Sequence, residues 1–499
     1  MNILLLYPQY PETFWSFKYA LKFVSKRAVN PPLGLMTISS ILPESWKKKL
    51  IDLNVEKLRE KDILWADYVF ISAMNIQEKS VHEIIDRCKH LEKKVVCGGP
   101  LFTEEPEKFE NQVDHLILNE AEQTLPQFLN DLKEGKLKPI YQTDQFADLK
   151  NTPTPDYSLI RMSKYNTMSI QLTRGCPFNC EFCDITALFG HKVRIKSADQ
   201  ILKELEAIYQ SGWRKSVFFV DDNFIGNKKI LKSTILPAII QWMEAKKYPF
   251  SFLTEASINL ANDEELMNLM EKAGFNSVFI GIETTELSSL KECGKTQNMR
   301  LDLKQSVFKI QKKGMEVMGG FILGFDSDPV SIFQKQIDFI RETGIISAMV
   351  GLLNAPKKTK LYNRLKKENR IINNFTGNNT DLSINFLPKM DKKILLEGYK
   401  KVIKGIYDGK AYYHRVKDFI KRFTPNPRVK HRPGFIYLIG FFRIFTRLGI
   451  ADTYRNEYWN LFFWTLFNRP KLMPLALTYS VYGYHFRKIF KDFFEEKNR

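Results

Sequence analysis

Cys176, Cys180 and Cys183 fall within eight residues of the stretch LTRGCPFNCEFCDI (Leu172 to Ile185), beside an arginine and a glycine. The 499-residue chain has six cysteines and places half of them here, in the spacing C-x3-C-x2-C. Thiolates this close in sequence can converge on one metal centre, but structural zinc takes four ligands and usually draws them from two pairs. The other thiols are distant: Cys88 and Cys97 lie near the amino terminus and Cys293 far downstream. A three-thiol site leaves one metal position open, and in a 4Fe-4S cluster an open iron can bind substrate. Three incidental cysteines, or an incomplete zinc site, are the alternatives that spacing alone leaves.

A loop of this kind needs a scaffold. From Met168 to about Tyr362 six strand-like runs recur, MSIQLTRG, SVFFVDD, FSFLTEAS, SVFIGIET, EVMGGFILGF and AMVGLLNAP, each followed by a helical stretch. Six successive β/α units predict a partial (β/α)6 TIM-like barrel, two units short of the closed eightfold form. Polar residues stand where the strands end: Thr173, Arg174, Asp221, Asp222, Glu255, Glu283 and Asn354. In such barrels the carboxyl ends of strands carry the chemistry, and the cysteines follow the first one. Upstream, ILLLYP, KLIDLNV, YVFISAM, VVCGGP and DHLILNE alternate with helix-period segments, which predicts a doubly wound parallel sheet with its ligand at the strand carboxyl ends. The segment FADLKNTPTPDYSLI, with prolines at 153 and 155, marks a linker. The expected organisation is α/β: a Rossmann-type domain at 1–140, a linker at 141–165, the partial barrel at 166–370, and a helical, basic, aromatic-rich domain at 371–499.

Length and composition set further bounds. The chain is too long for one ordinary core. Its cysteines are too sparse for a disulfide scaffold, and MNILLLYPQYP lacks a basic leader region and ends in proline, so it predicts a first buried strand and a reducing, cytoplasmic setting. Net charge is +19, and residues 421–499 hold 15 Lys and Arg against 5 Asp and Glu, with 20 aromatic residues interleaved. Arg443, Arg447, Arg469 and Pro470 interrupt its apolar runs before they reach bilayer length, so no transmembrane helix is expected there. Aromatic, basic helices suit peripheral contact with a membrane face. The alternative is a helical cap on the barrel with arginine stems covering apolar surface. Arginine and aromatics also serve nucleic-acid stacking platforms, but no recognisable RNA or DNA module is present and no nucleic-acid partner is expected.

The motif CPFNCEFC, with Phe182 before the last cysteine and a barrel strand in front, resembles the radical S-adenosylmethionine superfamily. The resemblance implies that Cys176, Cys180 and Cys183 hold three irons of a 4Fe-4S cluster while S-adenosylmethionine chelates the fourth. VDDNF (Val220 to Phe224), GIET (Gly281 to Thr284), GGFILGF (Gly319 to Phe325) and NAPKKTKLY (Asn354 to Tyr362) resemble the family's cofactor-binding segments. Asp222 or Glu283 would accept from ribose hydroxyls or the methionine ammonium. Gly319, Gly320 and Gly324 would let backbone approach a nucleoside, or simply form a bulge.

The first domain resembles the cobalamin-binding domain fused to many such enzymes, through PPLGLMTISSIL (Pro31 to Leu42), ISAM (Ile71 to Met74), VVCGGPLFT (Val95 to Thr103) and LNEAE (Leu118 to Glu122). Ser72, Gly98 and Gly99 are the candidate contacts to cobalamin, with an ordinary turn at the glycines and a degenerate flavodoxin-like site as the alternative. The family often has glycine where Asn119 stands. The Asp-x-His-x-x-Gly stretch of other cobalamin proteins is missing, since the only His-x-x-Gly is His431 to Gly434, so cobalamin is expected without a histidine below the cobalt.

Rival branches need more cysteines. Methylthiotransferases require three further amino-terminal ones, and maturases with auxiliary clusters several after Cys293, so one cluster is expected. The tail, beginning LPKMDKKILLEGYKKVIKGIYD (Leu387 to Asp408), is similar to the subgroup of hopanoid methylases and related lipid-modifying enzymes. The expectation is a cobalamin-dependent methyltransferase acting on an unactivated carbon of a lipid or other apolar metabolite, supplied with electrons by a donor such as flavodoxin or ferredoxin. Radical cyclisation, carbon-carbon coupling or oxidation is the alternative within the superfamily, and a non-catalytic metal- or RNA-binding protein the alternative outside it. No residue is assigned as catalytic hydrogen donor, and Cys293 is expected to be a buried structural thiol.

Overall fold

The strand Asn2–Tyr7 (β1) carries its leucines and isoleucine into two different cores. Ile3 and Leu5 join the large core, whereas Leu4 and Leu6 join a smaller one on the opposite face, as period-two alternation in a doubly covered strand requires. A computed structural model describes residues 1–429 and 435–495. In it β1 pairs in parallel with Lys47–Asp52 (β2) and Tyr68–Ser72 (β3), followed outward by Lys94–Gly98 (β4), His115–Ile117 (β5) and Ile140–Tyr141 (β6). The strand order β2-β1-β3-β4-β5-β6 reverses between β1 and β3, which is where open parallel sheets form a crevice at their carboxyl edge.

The six barrel runs all form strands: Met168–Ile170 (β7), Ser216–Phe219 (β10), Ser251–Ala256 (β11), Phe275–Glu283 (β12), Glu316–Leu323 (β13) and Ala348–Leu352 (β14). They pair in chain order, and β7 and β14 do not close on each other, so the partial barrel is open on one side. Two short strands after β7, Thr173–Arg174 (β8) and Arg194–Ile195 (β9), form an antiparallel ribbon that brackets the cysteine loop. The run expected as one strand, MSIQLTRG, therefore breaks at Gln171. Leu172 donates its N–H to the Asp221 carboxylate at 3.1 Å, and the Thr173 N–H and hydroxyl go to the same group, which turns the chain out of the sheet.

The segment between the sheets is packed rather than free. Tyr157 and Tyr165 are buried, the Tyr157 hydroxyl donates to the Ser169 carbonyl on β7 at 2.9 Å, and that of Tyr165 donates to Asp52 on β2 at 3.0 Å. Helical structure in the last part begins at Lys392 and not at residue 371, because 371–391 runs irregularly across the top, tied by Asn354 to Ser383 and Asn385. Helix Lys392–Tyr407 covers the exposed edge of β14, where the Tyr407 hydroxyl donates to the Ala348 carbonyl at 2.6 Å and accepts from its N–H at 3.1 Å. Helix Met473–Ile489 reaches back to the amino terminus: Phe486 stacks on Phe14 at 4.3 Å, and His485 Nε2 lies 3.0 Å from the Phe14 carbonyl. The tail is thus a cap over the barrel and the first domain. Trp15, next to that contact, packs against the barrel strands, with its indole 2.9 Å from the Met349 sulfur on β14 and edge-on to Phe279 on β12 at 5.5 Å.

Candidate functional site

After β8 the chain reaches Gly175 in the left-handed region at φ +87°, where a Cβ would sit 2.8 Å from the Lys192 carbonyl oxygen, so the turn into the cysteine loop requires glycine. Cys176, Cys180 and Cys183 follow, all half-buried. Backbone N–H groups of Phe178 and Ile185 favour the thiolates of Cys176 and Cys183, while burial raises both thiols above their usual range. Amides point at the sulfurs from two sides: Asn223 Nδ2 is 4.0 Å from Cys176 Sγ, and Gln297 Nε2 is 3.8 Å from Cys180 Sγ. Lys295 interacts electrostatically with all three thiols. Burial works against its ammonium, but Glu283 at 2.6 Å and the thiols outweigh burial and hold it charged. Among the described residues no three His, Cys, Asp or Glu side chains are grouped for a single metal ion. Cys293 is no fourth ligand: it is 2 % exposed, its thiol donates to the Leu290 carbonyl at 3.6 Å, and burial pushes it up to about 12.

The strand ends separate the two carboxylates weighed as cofactor contacts. Glu283 ends β12 with φ +64° after a register shift at Gly281, and it is already paired with Lys295. Asn298 secures this bulge by donating to the carbonyls of Gly281 and Ile282. Asp222 keeps a buried Oδ2 without a hydrogen-bond partner, and Gln297 Oε1 and Thr285 Oγ1 are buried and unpartnered as well. A buried, unmet polar atom costs about 1–3 kcal/mol, so unpartnered oxygens at the strand ends and on Gln297 beside Cys180 fit a polar, cationic cofactor. Burial, then Asp221 and Asp184, push Asp222 up to about 7, and burial followed by Asp222 and Asp221 pushes Glu255 up to about 8. Asp221 itself is structural, spent on Leu172 and Thr173.

The glycines in and just after the fifth barrel strand stand close to packed side chains. A Cβ at Gly320 would meet the Phe279 ring at 2.7 Å, one at Gly319 the Phe321 ring at 2.7 Å, and one at Gly324 (φ +103°) the Leu395 side chain at 3.1 Å. Their missing side chains make room for aromatic packing along β12 and β13 and for the helix Lys392–Tyr407. Phe182 lies partly buried with its ring 6.2 Å from that of Phe325.

At the carboxyl edge of the first sheet, Ser72 and Gly98 are register partners, and Gly99 follows at φ +96°. A Cβ on Gly99 would lie 2.8 Å from Ser72 Oγ, so the three residues meet at one tight point. Asn75 Oδ1 is buried without a partner at the same edge, which fits a ligand rich in amides or other donors. Asn119, where the resembled family often has glycine, has φ +62°, and asparagine is the residue after glycine that best tolerates this conformation. The only His-x-x-Gly stretch, His431 to Gly434, lies outside the described residues.

The cysteine loop is docked on this edge. Arg174 donates to Glu120 at 2.8 Å and to Glu122 at 2.7 Å, both from the LNEAE stretch, and Arg194 reaches Glu120 at 2.6 Å. Asp184, directly after Cys183, lies near enough to Glu104, from the segment after β4, for the two carboxyl groups to interact electrostatically. Lys358 donates to the Thr103 carbonyl at 2.5 Å, and Arg364 binds Glu181 inside the cysteine loop at 2.6 Å. Sequence reasoning missed Lys295, Gln297, Asp184, Glu104 and the pairing of Arg174. The polar turn GKTQN after Cys293 was the one visible signal for the first two.

Comparisons with known proteins agree with this arrangement. Residues 170–372 match the radical SAM superfamily, 25–129 the B12 binding domain, and 359–499 a domain of unknown function, DUF4070. The chain is 39 % identical to an uncharacterised methyltransferase of a Synechocystis species over 97 % of its own length and 91 % of that protein. It is 31 % identical to the hopanoid C-2 methylase of Rhodopseudomonas palustris over 92 % of this chain and 88 % of that one. Among solved structures it shares its fold with the cobalamin-dependent S-adenosylmethionine radical enzyme OxsB (TM-score 0.63, 16 % identity, 99 % of this chain and 80 % of that one). It also shares it with the radical S-adenosylmethionine methyltransferase TsrM of Kitasatospora setae (TM-score 0.60, 14 % identity, 98 % and 99 %).

Proposed function

The chain belongs to the radical S-adenosylmethionine methyltransferases that carry a B12-binding domain, and from that premise we propose that it methylates an unactivated carbon of a lipid or other apolar metabolite. Its cofactors are a 4Fe-4S cluster, S-adenosylmethionine and cobalamin, which together supply a hydrogen-abstracting 5'-deoxyadenosyl radical and a transferable methyl group. The observation that carries the residue assignment is the docking of the three-thiol loop on the carboxyl edge of the first sheet, through Arg174 to Glu120 and Glu122 and through Arg194 to Glu120.

In this reading Cys176, Cys180 and Cys183 hold three irons and leave the fourth open. Asn223, Gln297 and Lys295 surround the sulfurs with donors and positive charge, which offsets the charge of a thiolate-bound cluster. Asp222, with its unpartnered oxygen, accepts from the methionine ammonium or a ribose hydroxyl. Ser72, Gly98 and Gly99 border the corrin. Trp15, Phe279 and Met349 form an apolar cluster against the barrel strands, which keeps water from a carbon-centred radical. The lipid assignment is supported by likeness to the hopanoid C-2 methylase over nearly the whole chain and by the aromatic tail. A flavodoxin- or ferredoxin-type donor supplies the electron.

The test is anaerobic reconstitution with iron, sulfide and cobalamin, followed by addition of methyl-labelled S-adenosylmethionine and lipid extract. Methylation predicts 5'-deoxyadenosine and S-adenosylhomocysteine formed together, with label in an apolar product. Cys180→Ala should abolish 5'-deoxyadenosine formation. Deoxyadenosine without S-adenosylhomocysteine would replace methyl transfer by other radical chemistry, and label confined to water-soluble products would refute the lipid assignment.

A further inference from the structure

The outer side of the tail holds a site that the radical chemistry does not use. Eight of the large apolar side chains left exposed in the described residues lie between positions 439 and 467, on helices Phe435–Ile444 and Arg455–Asn468 and the π-turn Phe445–Ile450 that joins them. Phe442 is 68 % and Phe467 79 % exposed, far beyond what a covered helix face shows. The two helices support each other through Phe441 against Phe462 at 6.4 Å and Phe445 against Trp459 at 5.5 Å. A patch this concentrated marks an interaction surface.

Beside it opens a cavity of about 260 Å³ whose wall includes Arg447, Arg487, Lys488 and Lys491, with Asp452 as the one acidic residue among its described lining. Arg487 is 10 % exposed and gives Nη2 to Asp452 at 2.6 Å, with its guanidinium 4.9 Å above the Tyr454 ring. Its Nη1 is buried and has no hydrogen-bond partner. Arg447 spends its Nε on the Tyr484 hydroxyl at 2.8 Å, and Lys488 sits 5.8 Å from the same ring. Asp452 is also used by the Tyr454 N–H at 3.1 Å, so a single carboxylate stands against the guanidinium groups of Arg447 and Arg487 and the ammonium of Lys488. A cavity lined by two guanidinium groups and an ammonium favours an oxyanion, and guanidinium binds phosphate oxygens with directed hydrogen bonds.

We propose that this cavity binds the phosphate of an anionic phospholipid headgroup while Phe442, Phe467 and their neighbours enter the interfacial layer, so that the tail docks the protein on a membrane face. The π-turn couples the two halves: Arg447 turns to the cavity, whereas Phe445 and Ile450 of the same turn are exposed. The excess of basic residues in 421–499 supplies charge complementarity to an anionic surface. No helix among the described residues is long and apolar enough to cross a membrane, so the docking is peripheral. This inference is independent of the methylation reading, since lipid binding is measured without turnover.

The experiment is vesicle co-sedimentation of the full-length protein with phosphatidylcholine alone and with about one-third phosphatidylglycerol. Wild type should partition to the anionic vesicles and not to the neutral ones. Arg447→Glu with Lys488→Glu should weaken this by about thirtyfold or more, taking roughly 1 kcal/mol per basic residue near the surface. Phe442→Ser with Phe467→Ser, two exposed positions whose change leaves the core intact, should weaken it by about tenfold or more. Unfolding curves matching wild type establish that both variants fold. The proposal is overturned if wild type ignores anionic vesicles, if it binds neutral ones equally, or if either folded variant binds as wild type does. Stabilisation of wild type by inorganic phosphate or glycerol phosphate without vesicle binding would instead identify a free-anion site.

Discussion

Asp222 and Glu255 stand at the ends of neighbouring strands with pKa values pushed up to about 7 and about 8, first by burial and then by nearby carboxylates, Asp221 and Asp184 for Asp222 and Asp222 and Asp221 for Glu255. Their unfolded values lie near 4, so the folded, cofactor-free chain holds extra protons here. The stability they contribute is complete below about pH 4 and is lost as pH rises through about 7 to 8. Glu255→Gln should therefore flatten the decline between pH 6 and 8 and raise stability at pH 8, on the order of 1–3 kcal/mol, read by urea unfolding at the two pH values. A steeper decline in the variant would refute the assignment. Asn119 gives a second prediction at this scale. Its left-handed φ of +62° should accept glycine with little loss, whereas Asn119→Val should cost about 1–2 kcal/mol in the same measurement. The carboxylates at the strand ends were legible from their positions, but the unpartnered oxygen of Asp222 and the lysine on Glu283 were not. The lysine stands on the turn Gly294 to Asn298, which folds back past a helix onto the end of its own strand, and the free oxygen is set by what the packed neighbours leave unpaired.

The ribbon β8–β9 joins the two sheets through charges rather than through the hydrophobic period that reveals strands. Arg174 is 12 % exposed and faces Glu120 at 2 % and Glu122 at 11 %. Removing one partner of such a set strands the rest without compensation, so Arg174→Ala should cost about 3–5 kcal/mol and Arg174→Lys most of that, because lysine cannot fork between two carboxylates. Chemical denaturation measures the loss, and a cost below about 1 kcal/mol would show the pairs to be peripheral. Tyr407→Phe makes a separate prediction for the covered edge of β14. Losing the hydroxyl that serves both the N–H and the carbonyl of Ala348 should cost about 1–3 kcal/mol. The six barrel strands were readable because apolar, β-branched runs report local burial. The break at Gln171 was not, since it depends on a carboxylate 49 residues from Leu172.

Across the whole molecule one core runs through barrel, tail and one face of the first sheet: Ile3, Phe70, Phe219, Tyr407 and Phe486 all belong to it. The amino-terminal domain is consequently docked and not tethered, and the tail is structural on its inner side. A chain ending at Val429 would uncover Tyr407, Tyr412 and Phe14, all at most 1 % exposed, and should lose cooperative unfolding and near-ultraviolet dichroism. Retained cooperativity would make the tail a separate body. What the sequence by itself determined was the count and spacing of the thiols, the parallel strands in chain order and the composition of the tail, because short-range periodicity and residue type are local properties. Only the tertiary structure decided that Arg174 holds Glu122 across 52 residues, that Lys295 and Gln297 face the thiols, and that Gly320 makes room for the Phe279 ring. Such contacts between distant segments arise from how the elements pack, and the energy that selects them resides in burial and pairing that no local window contains.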